Sequence, residues 1–228
     1  MKTLVKLSSR ERRADIIRAV RRVFAEKGFD GTTTRELAEA AGVSEALLFK
    51  HFPNKEALYL AMQTSCCMDR DPGLMERIQA MRPSAKSLVQ LIQYFVWHVI
   101  AEPPADDQEA LQTRMMLRSL SEDGEFARTF LKGNPLEANM KLRECIRAAV
   151  AAGEAVDGKV RSDLAGWFAQ NLMAMLKIML LPDEPVIDFG ASRQKLAEQA
   201  VWFILRGMGL KDQTIQRYYR PGAGAAEL

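Results

Sequence analysis

The segment from residue 28 to residue 55 constrains the fold most, because two short helix signals flank a tight turn. It reads GFDGTTTRELAEAAGVSEALLFKHFPNK. Thr33 and Glu36 have the spacing of a capping box, which predicts the start of a first helix. Gly42 suits the left-handed backbone that often ends a helix, and Ser44 suits the cap of a second one. The segment therefore predicts a helix-turn-helix, whose second helix enters the major groove of DNA.

Apolar residues on both sides of Gly42 recur at helical spacing. Leu37 and Ala41 share one face of the first predicted helix, and Leu48 and Phe52 share one face of the second. The preceding residues, 10–27, repeat this spacing among several arginines. A third helix is therefore predicted before the helix-turn-helix.

The run from residue 16 to residue 59 resembles the N-terminal domain of the TetR family of bacterial transcription regulators. The residues that carry the resemblance read IIRAVRRVFAEKGFDGTTTRELAEAAGVSEALLFKHFPNKEALY. The family often has a small residue near position 46, which Ala46 matches. It usually has Tyr where this chain has Phe49, so a phosphate-contacting hydroxyl is missing. The resemblance implies a homodimer that binds a palindromic or pseudo-palindromic double-stranded operator.

The resemblance, together with the predicted helix ends, selects ten candidate DNA-binding residues. Four are expected to contact phosphate, namely Thr33, Thr34, His51 and Lys55. Ser44 is the cap, and the residues expected near base edges are Glu45, Ala46, Leu47, Phe49 and Lys50. Glu45 can accept from a cytosine amino group and Leu47 can touch a thymine methyl. A second interpretation of Glu45 is a first-turn acid that favours the helix dipole.

Charge is unevenly distributed along the chain, whose formal net charge is +3. Residues 1–55 contain 12 basic and 7 acidic side chains, whereas the other 173 residues contain 20 and 22. A basic N-terminal module on a mildly acidic body is expected where one end of a protein meets phosphate. Ordinary surface charge is the alternative interpretation of this difference.

Beyond residue 55 one helical pattern follows another, without a strand-period run, an internal repeat or a glycine-rich phosphate loop. The predicted helices span about 54–67, a short stretch after 72–73, 84–102, 106–120, 122–153 with a break at 133–135, 162–181, 191–208 and a short polar helix that ends at Pro221. The predicted fold class is all-α. A three-helix DNA-binding domain is expected over residues 1–54, a larger helical effector-binding and dimerisation domain over 55–220, and a flexible tail over 221–228.

Two helices near the C-terminus are apolar on more than one face. A helix of this kind must be buried on both sides, and a pair from each of two subunits makes a four-helix bundle. The interface residues predicted there are Leu172, Met175, Met179, Trp202 and Phe203. The alternative is a large monomeric core with these helices at its centre.

Aromatic and methionine side chains in the body supply candidates for an adaptable apolar pocket. The predicted ligand-binding residues are Trp97, His98, Met115, Phe130, Trp167 and Met173. The alternative for each is ordinary core packing, and His98 is more readily a core or surface histidine than a metal ligand. No cofactor, metal site or catalytic arrangement is predicted from the spacing of polar residues.

The remaining features favour a cytoplasmic protein. No signal peptide or membrane span is evident, and Cys66, Cys67 and Cys145 match no zinc or CxxC spacing. The predicted function is a homodimeric transcription regulator, a repressor released from its operator by an apolar or amphipathic small molecule. One alternative is a DNA-binding protein that has no small effector and acts through a protein partner. A remote alternative is an all-α enzyme.

Overall fold

The computed structural model describes residues 8–68, 73–102, 107–122, 124–182 and 184–222, without the side chains of residues 63–68, 107, 108 and 134. Within these ranges the chain is helical, which confirms the all-α class; the other regular pairing described is one β-bridge between Ala155 and Leu210. The helices are α1 Ser9–Lys27, α2 Thr34–Ala40, α3 Glu45–His51, α4 Lys55–Met68, α5 Leu74–Ala80, α6 Ala85–Val96, α7 Asp107–Ser121, α8 Glu125–Leu131, α9 Asn134–Ala151, α10 Ser162–Met179, α11 Arg193–Gly207 and α12 Asp212–Tyr218. None of the described helices has the length and apolarity that crossing a membrane requires.

The chain divides into two compact units. The first unit contains Met1–Arg70 and Asp106–Gly133, and the second contains Asp71–Ala105 and Asn134–Leu228. Helices α1–α4, α7 and α8 therefore belong to the first unit, and α5, α6 and α9–α12 to the second. The domain boundary predicted between residues 54 and 55 stays a prediction. The predicted tail lies mainly outside the described residues, which end at residue 222.

The first unit has its own apolar core. Helix α1 begins at Ser8, which forms a capping box with Glu11. The side chains that α1–α4 bury there include Val20, Phe24, Leu37, Leu48, Phe52, Leu58 and Met62, and α7 and α8 add Met115 and Phe126. Helices α1–α3 share this core, so the orientation of α3 is fixed by packing as well as by its caps.

The second unit is built around α6. Ser84 caps this helix by accepting from the backbone N–H of Ser87. Both sides of α6 are buried, because α9 and α11 pack against it. Its fully buried side chains include Leu88, Val89, Leu91, Ile92 and Val96. Its buried polar side chains are paired: Gln93 donates to the backbone carbonyl of Arg220, and Ser87 to that of Arg82, 2.7 Å away.

A π-helical turn, Trp97–Ala101, follows α6 directly. The sequence predicted one continuous α-helix from Ser84 to the prolines at 103 and 104, so the prediction was wrong in its last turn. The backbone N–H of Glu102 donates to the carbonyl of Trp97 at 3.2 Å, five residues earlier, which is the π-helical pattern. The apolar spacing gave no indication of this wider turn, because buried residues continue through it at Ile100 and Ala101.

Helix α10 packs closely against α9 at Gly166. A side-chain Cβ at Gly166 would lie 2.0 Å from the amide oxygen of Asn139. The amide nitrogen of Asn139 donates to the carbonyl of Pro135 at 2.9 Å and to the side-chain oxygen of Gln170 at 3.0 Å. The absence of a side chain at Gly166 therefore makes room for a polar bridge between the two helices.

Candidate nucleic-acid interface

Helices α2 and α3 form the predicted helix-turn-helix. Thr33 caps α2 in a complete capping box with Glu36, and the hydroxyl of Ser44 accepts from the backbone N–H of Leu47 to cap α3. Gly42 has φ +63°, the left-handed conformation that the sequence predicted for this position. Each turn signal of the sequence therefore has its expected geometry.

Glu36 ties the start of α2 to the end of α1. Its carboxylate accepts from the hydroxyl of Thr33 at 2.8 Å and from the backbone N–H of Thr33 at 2.9 Å, and it pairs with the ammonium of Lys27. The hydrogen bond from Lys27, followed by those from Thr33, lowers the pKa of Glu36 from 4.5 to about 2. The Thr33 hydroxyl, predicted to contact phosphate, therefore serves the capping box in this structure.

The outer face of α3 carries most of the residues predicted to lie near base edges. Leu48 points into the core with 2% of its surface exposed, whereas Phe49 is 41% exposed. The predicted base-edge residues are exposed except Leu47, which is half-buried; the exposed ones are Glu45, Ala46, Phe49 and Lys50. Glu45 and Phe49 are four residues apart, as are Ala46 and Lys50, so the two pairs lie side by side on one broad surface of the helix.

Thr34 and Glu45 are joined across the turn. The hydroxyl of Thr34, in the first turn of α2, donates to the carboxylate of Glu45 at 2.7 Å, in the first turn of α3. From sequence, the two residues have separate expected roles, Thr34 at phosphate and Glu45 at bases. The structure brings them together, which sequence spacing alone did not indicate.

Lys55 and Arg13 support the two ends of this motif. The ammonium of Lys55 donates to the backbone carbonyls of Phe29 and Thr32 at 2.8 and 2.9 Å, on the loop before α2. The guanidinium of Arg13 donates to the carbonyl of His51, at the C-terminal end of α3. It also lies 4.0 Å from the centre of the Phe52 ring, a cation–π distance. Sequence spacing did not identify Arg13, because nothing in the local pattern links α1 to the end of α3.

The six predicted ligand-binding residues are divided between the two units. Met115 is buried in the core of the first unit, and the Phe130 ring lies 6.2 Å from that of Phe126 in the same unit. The other four belong to the second unit, namely Trp97, His98, Trp167 and Met173. The pocket predicted from all six residues stays a prediction.

Within the second unit, the four candidates have different surroundings. Met173 is buried in the core, and Trp97 is half-buried against it. The Nδ1 atom of His98 lies 2.7 Å from a carboxylate oxygen of Glu102, and its ring meets Tyr94 edge-on at 4.3 Å. Trp167 is half-buried on α10.

The predicted dimer residues also differ in their surroundings. Phe203 is 70% exposed and Met175 51% exposed, whereas Leu172 and Trp202 are half-buried against the core of their own unit. The Trp202 ring lies 6.1 Å from that of Tyr219. Met179 is half-buried.

Two further exposed apolar side chains, Leu164 and Phe168, lie on α10 and were not among the interface residues predicted from sequence. Leu164 lies three helical turns and Phe168 two helical turns before Met175, and this spacing is the signal that identifies them. Phe203 is the large exposed apolar side chain described on α11, and the name apolar stripe of α10 and α11 is used below for the set Leu164, Phe168, Met175 and Phe203.

The His, Cys, Asp and Glu side chains form no metal-binding group in the described part of the chain. No group of three or more His, Cys, Asp or Glu side chains lies close enough there to hold a metal ion. Cys145 is buried, and burial raises the pKa of its thiol, so little thiolate forms at neutral pH. The side chains of Cys66 and Cys67 lie outside the described residues.

Comparison with known proteins identifies the first unit's helix-turn-helix segment. Residues 16–62 match the family of bacterial regulatory proteins, tetR family. The HTH-type transcriptional repressor AcnR of Corynebacterium efficiens is 48% identical over 50 residues, which are 22% of this chain and 27% of that protein. The HTH-type transcriptional repressor Rv1474c of Mycobacterium tuberculosis is 33% identical over 118 residues, which are 51% of this chain and 55% of that protein. The matches thus span about a quarter and about half of these relatives, which are named as repressors and not as enzymes.

A solved structure extends the likeness to most of the chain. AibR, crystallised in complex with isovaleryl coenzyme A and operator DNA, superposes with a TM-score of 0.62 at 19% identity. The superposition covers 84% of this chain and 97% of that chain, so the fold is shared well beyond the helix-turn-helix. Residues 16–62 therefore match the family of bacterial regulatory proteins, tetR family, and the chain shares the fold of AibR over most of its length.

Proposed function

We propose that the protein is a cytoplasmic DNA-binding transcription regulator, a homodimeric repressor that a small apolar or amphipathic molecule releases from its operator. The observation that carries the proposal is the exposed face of α3, which presents Glu45, Ala46, Phe49 and Lys50 on a helix held by caps and core packing. Such a helix enters the major groove, where side chains of this kind meet base edges.

The electrostatics of the N-terminal region support the DNA-binding part of the proposal. The 12 basic side chains of residues 1–55 outnumber the 7 acidic ones, and the remainder of the chain has the opposite balance. A local excess of basic side chains favours binding to a phosphate backbone, because each neutralised phosphate releases counterions. The ten predicted contact residues belong to this region, and His51 and Lys55 lie at its C-terminal end.

The apolar stripe of α10 and α11 supports the homodimer. Phe203 is 70% exposed and Phe168 59% exposed, and exposed aromatic residues of this size favour burial against a partner. A two-fold axis would set the stripe of one copy against the same stripe of another. A dimer also gives two copies of α3, which a palindromic operator requires, with half-sites roughly 34 Å apart.

The small-molecule effector is supported by a structural neighbour. AibR, which has the same fold, was crystallised with both an acyl coenzyme A and operator DNA, so the fold accommodates a ligand and an operator together. A ligand releases a repressor only if it binds more tightly to the form that binds DNA poorly. The six predicted ligand-binding residues, among them Trp97 and Met173, are the first positions to test.

Selection of DNA from a random library tests the proposal directly. The wild-type protein is mixed with duplexes that carry about 30 randomised base pairs, which is roughly three helical turns, and bound duplexes are sequenced. We expect a common sequence with two-fold symmetry. A variant with Ala46→Asp and Lys50→Glu, which places acids on the outer face of α3, should recover none. If the wild-type protein enriches no sequence, the proposed function is wrong.

Calorimetry then distinguishes two hypotheses, a repressor that a ligand releases and a regulator that has no small-molecule effector. Compounds found by thermal shift are titrated into the free protein and into its operator complex. A releasing ligand must bind the complex more weakly, by the same factor by which it weakens operator binding. Equal affinities in the two titrations contradict release by that compound. If a broad screen finds no binder, the effector-free alternative is the better account.

A further inference from the structure

We propose that Thr34 is a positioning residue for Glu45 and that this pair, instead of Thr34 contacting phosphate, sets the preference for one base pair of the operator. The proposal rests on the proposed function and deepens it. Thr34 and Glu45 are brought together by the turn between α2 and α3, although 11 residues separate them in the chain.

The geometry of the pair restricts the Glu45 side chain. The Thr34 hydroxyl lies 2.7 Å from one carboxylate oxygen of Glu45, within the range of a charge-assisted hydrogen bond. The side chain of Glu45 is exposed, so without this bond it has several rotamers available. Thr34 is β-branched and has few rotamers itself, and its helix is fixed by the Thr33–Glu36 capping box. The bond therefore holds the Glu45 carboxylate in one direction.

The Thr34 hydroxyl has one proton to donate, as every threonine hydroxyl does. While Thr34 donates that proton to Glu45, it cannot donate it to a phosphate oxygen, which is an acceptor only. The expected phosphate contact of Thr34 and the observed bond to Glu45 are therefore alternatives for its one proton.

The held carboxylate of Glu45 can recognise an amino group. Phosphate repels a carboxylate near DNA, and a hydrogen bond from an amino group, which the major groove offers on cytosine and adenine, offsets that repulsion. One oxygen of Glu45 is bound to Thr34, and the other is left to accept from the base. A carboxylate with a fixed direction selects the amino group at one position, whereas a mobile one tolerates several.

A double-mutant cycle on the selected operator tests the proposal. The variants are Thr34→Val, which lacks the hydroxyl, Thr34→Ser, which retains it, Glu45→Ala, and the double variant Thr34→Val/Glu45→Ala. Affinities are measured for the operator recovered from the random library and for all single-base changes of it. Thermal unfolding of each variant is followed by circular dichroism. If Thr34→Val changes the fold, Thr34→Ala serves as a second variant without the hydroxyl.

At one base pair of the operator, we expect Thr34→Val to reduce the ratio of affinities for the preferred base and the other bases about tenfold. This is a typical value for one direct base contact. Discrimination at the other positions should persist, and Thr34→Ser should restore the lost preference. The double variant should equal Glu45→Ala alone, because Thr34 acts through Glu45. A Thr34→Val variant that weakens all sequences equally, with an effect that adds to that of Glu45→Ala, overturns the proposal and favours a phosphate contact. A wild-type protein that selects no sequence overturns the proposed function and this inference with it.

Discussion

The ammonium of Lys55 donates to the backbone carbonyl of Thr32 at 2.9 Å, so the first residue of α4 holds the loop that precedes α2. It also donates to the carbonyl of Phe29 and lies 4.2 Å from the centre of that ring. Two of its three N–H groups are thus used within the protein. The third is available to the phosphate contact that the family resemblance implies.

Replacing Lys55 by Met should therefore weaken both folding and DNA binding. Two loop carbonyls lose their partner, which should lower the free energy of unfolding by about 1–3 kcal/mol. Operator affinity should fall for all sequences alike, with a salt slope smaller by about one. Urea unfolding and a salt titration measure the two effects. Lys50→Met is the matched control, since Lys50 is exposed on α3 and its loss should leave unfolding unchanged. A Lys55→Met variant with wild-type unfolding would show that the loop does not depend on these bonds.

The pair between Glu36 and Lys27 predicts a pH dependence of stability. The pKa of Glu36 is lowered in the folded protein from 4.5 to about 2, so folding favours the ionised carboxylate. Its stabilising contribution is complete above pH 4.5 and is lost as the pH falls towards about 2. Near neutral pH the Glu36→Gln variant should therefore have a lower melting temperature than the wild-type protein. The difference between the two melting temperatures should decrease as the pH is lowered.

Lys27→Met supplies the control for this prediction, because the hydrogen bond from Lys27 is the largest cause of the lowered pKa. In that background Glu36→Gln should change the melting temperature less, and its pH dependence should be weaker. The test is a series of thermal melts from acid to neutral pH. The pH values are about half a unit apart, which is fine enough to resolve the titration of one group. A Glu36→Gln difference that is constant over the whole range would contradict the assignment.

Gly166 is expected to resist substitution although it lies inside a helix. Gly→Ala in a helix interior normally stabilises by roughly 1 kcal/mol. At Gly166 the new methyl would meet the amide oxygen of Asn139, and such overpacking typically costs about 1–3 kcal/mol. Asn139→Ala should remove most of that cost, so Gly166→Ala should be tolerated in the double variant. Gly207→Ala is the matched control, because nothing lies within 4 Å of a Cβ there. Equal melting shifts for the two glycine variants would contradict the close contact.

The apolar stripe predicts where charge dissociates the proposed dimer. Phe168→Glu and Phe203→Glu should shift sedimentation towards monomer while leaving the helical content unchanged, since both side chains are exposed. Trp202→Glu should instead lower the melting temperature, because Trp202 packs on Tyr219 and lies 5.2 Å from the guanidinium of Arg206. If both Phe variants stay dimeric, the interface lies elsewhere on the protein.

The sequence predicted the helix-turn-helix well because its signals are local. The cap at Thr33, the glycine at position 42 and the cap at Ser44 each act within four residues, and each has its expected geometry. Contacts between distant residues were not predictable in this way. Neither the bond from Arg13 to the end of α3 nor the side of Trp202 that faces the core follows from helical spacing. In a helix that is apolar nearly all round, spacing does not distinguish an inward face from an outward one.

The π-helical turn at Trp97–Ala101 is a place where this chain can lose one residue without losing its helix. Such a turn takes up one residue more than an α-turn over nearly the same rise. Losing one residue there would restore the α-helix and leave the residues after it in nearly the same orientation, because the extra residue is held within the one wide turn. This segment is thus a point where the loss of one residue redirects side chains within the turn, such as His98, without breaking the helix before it.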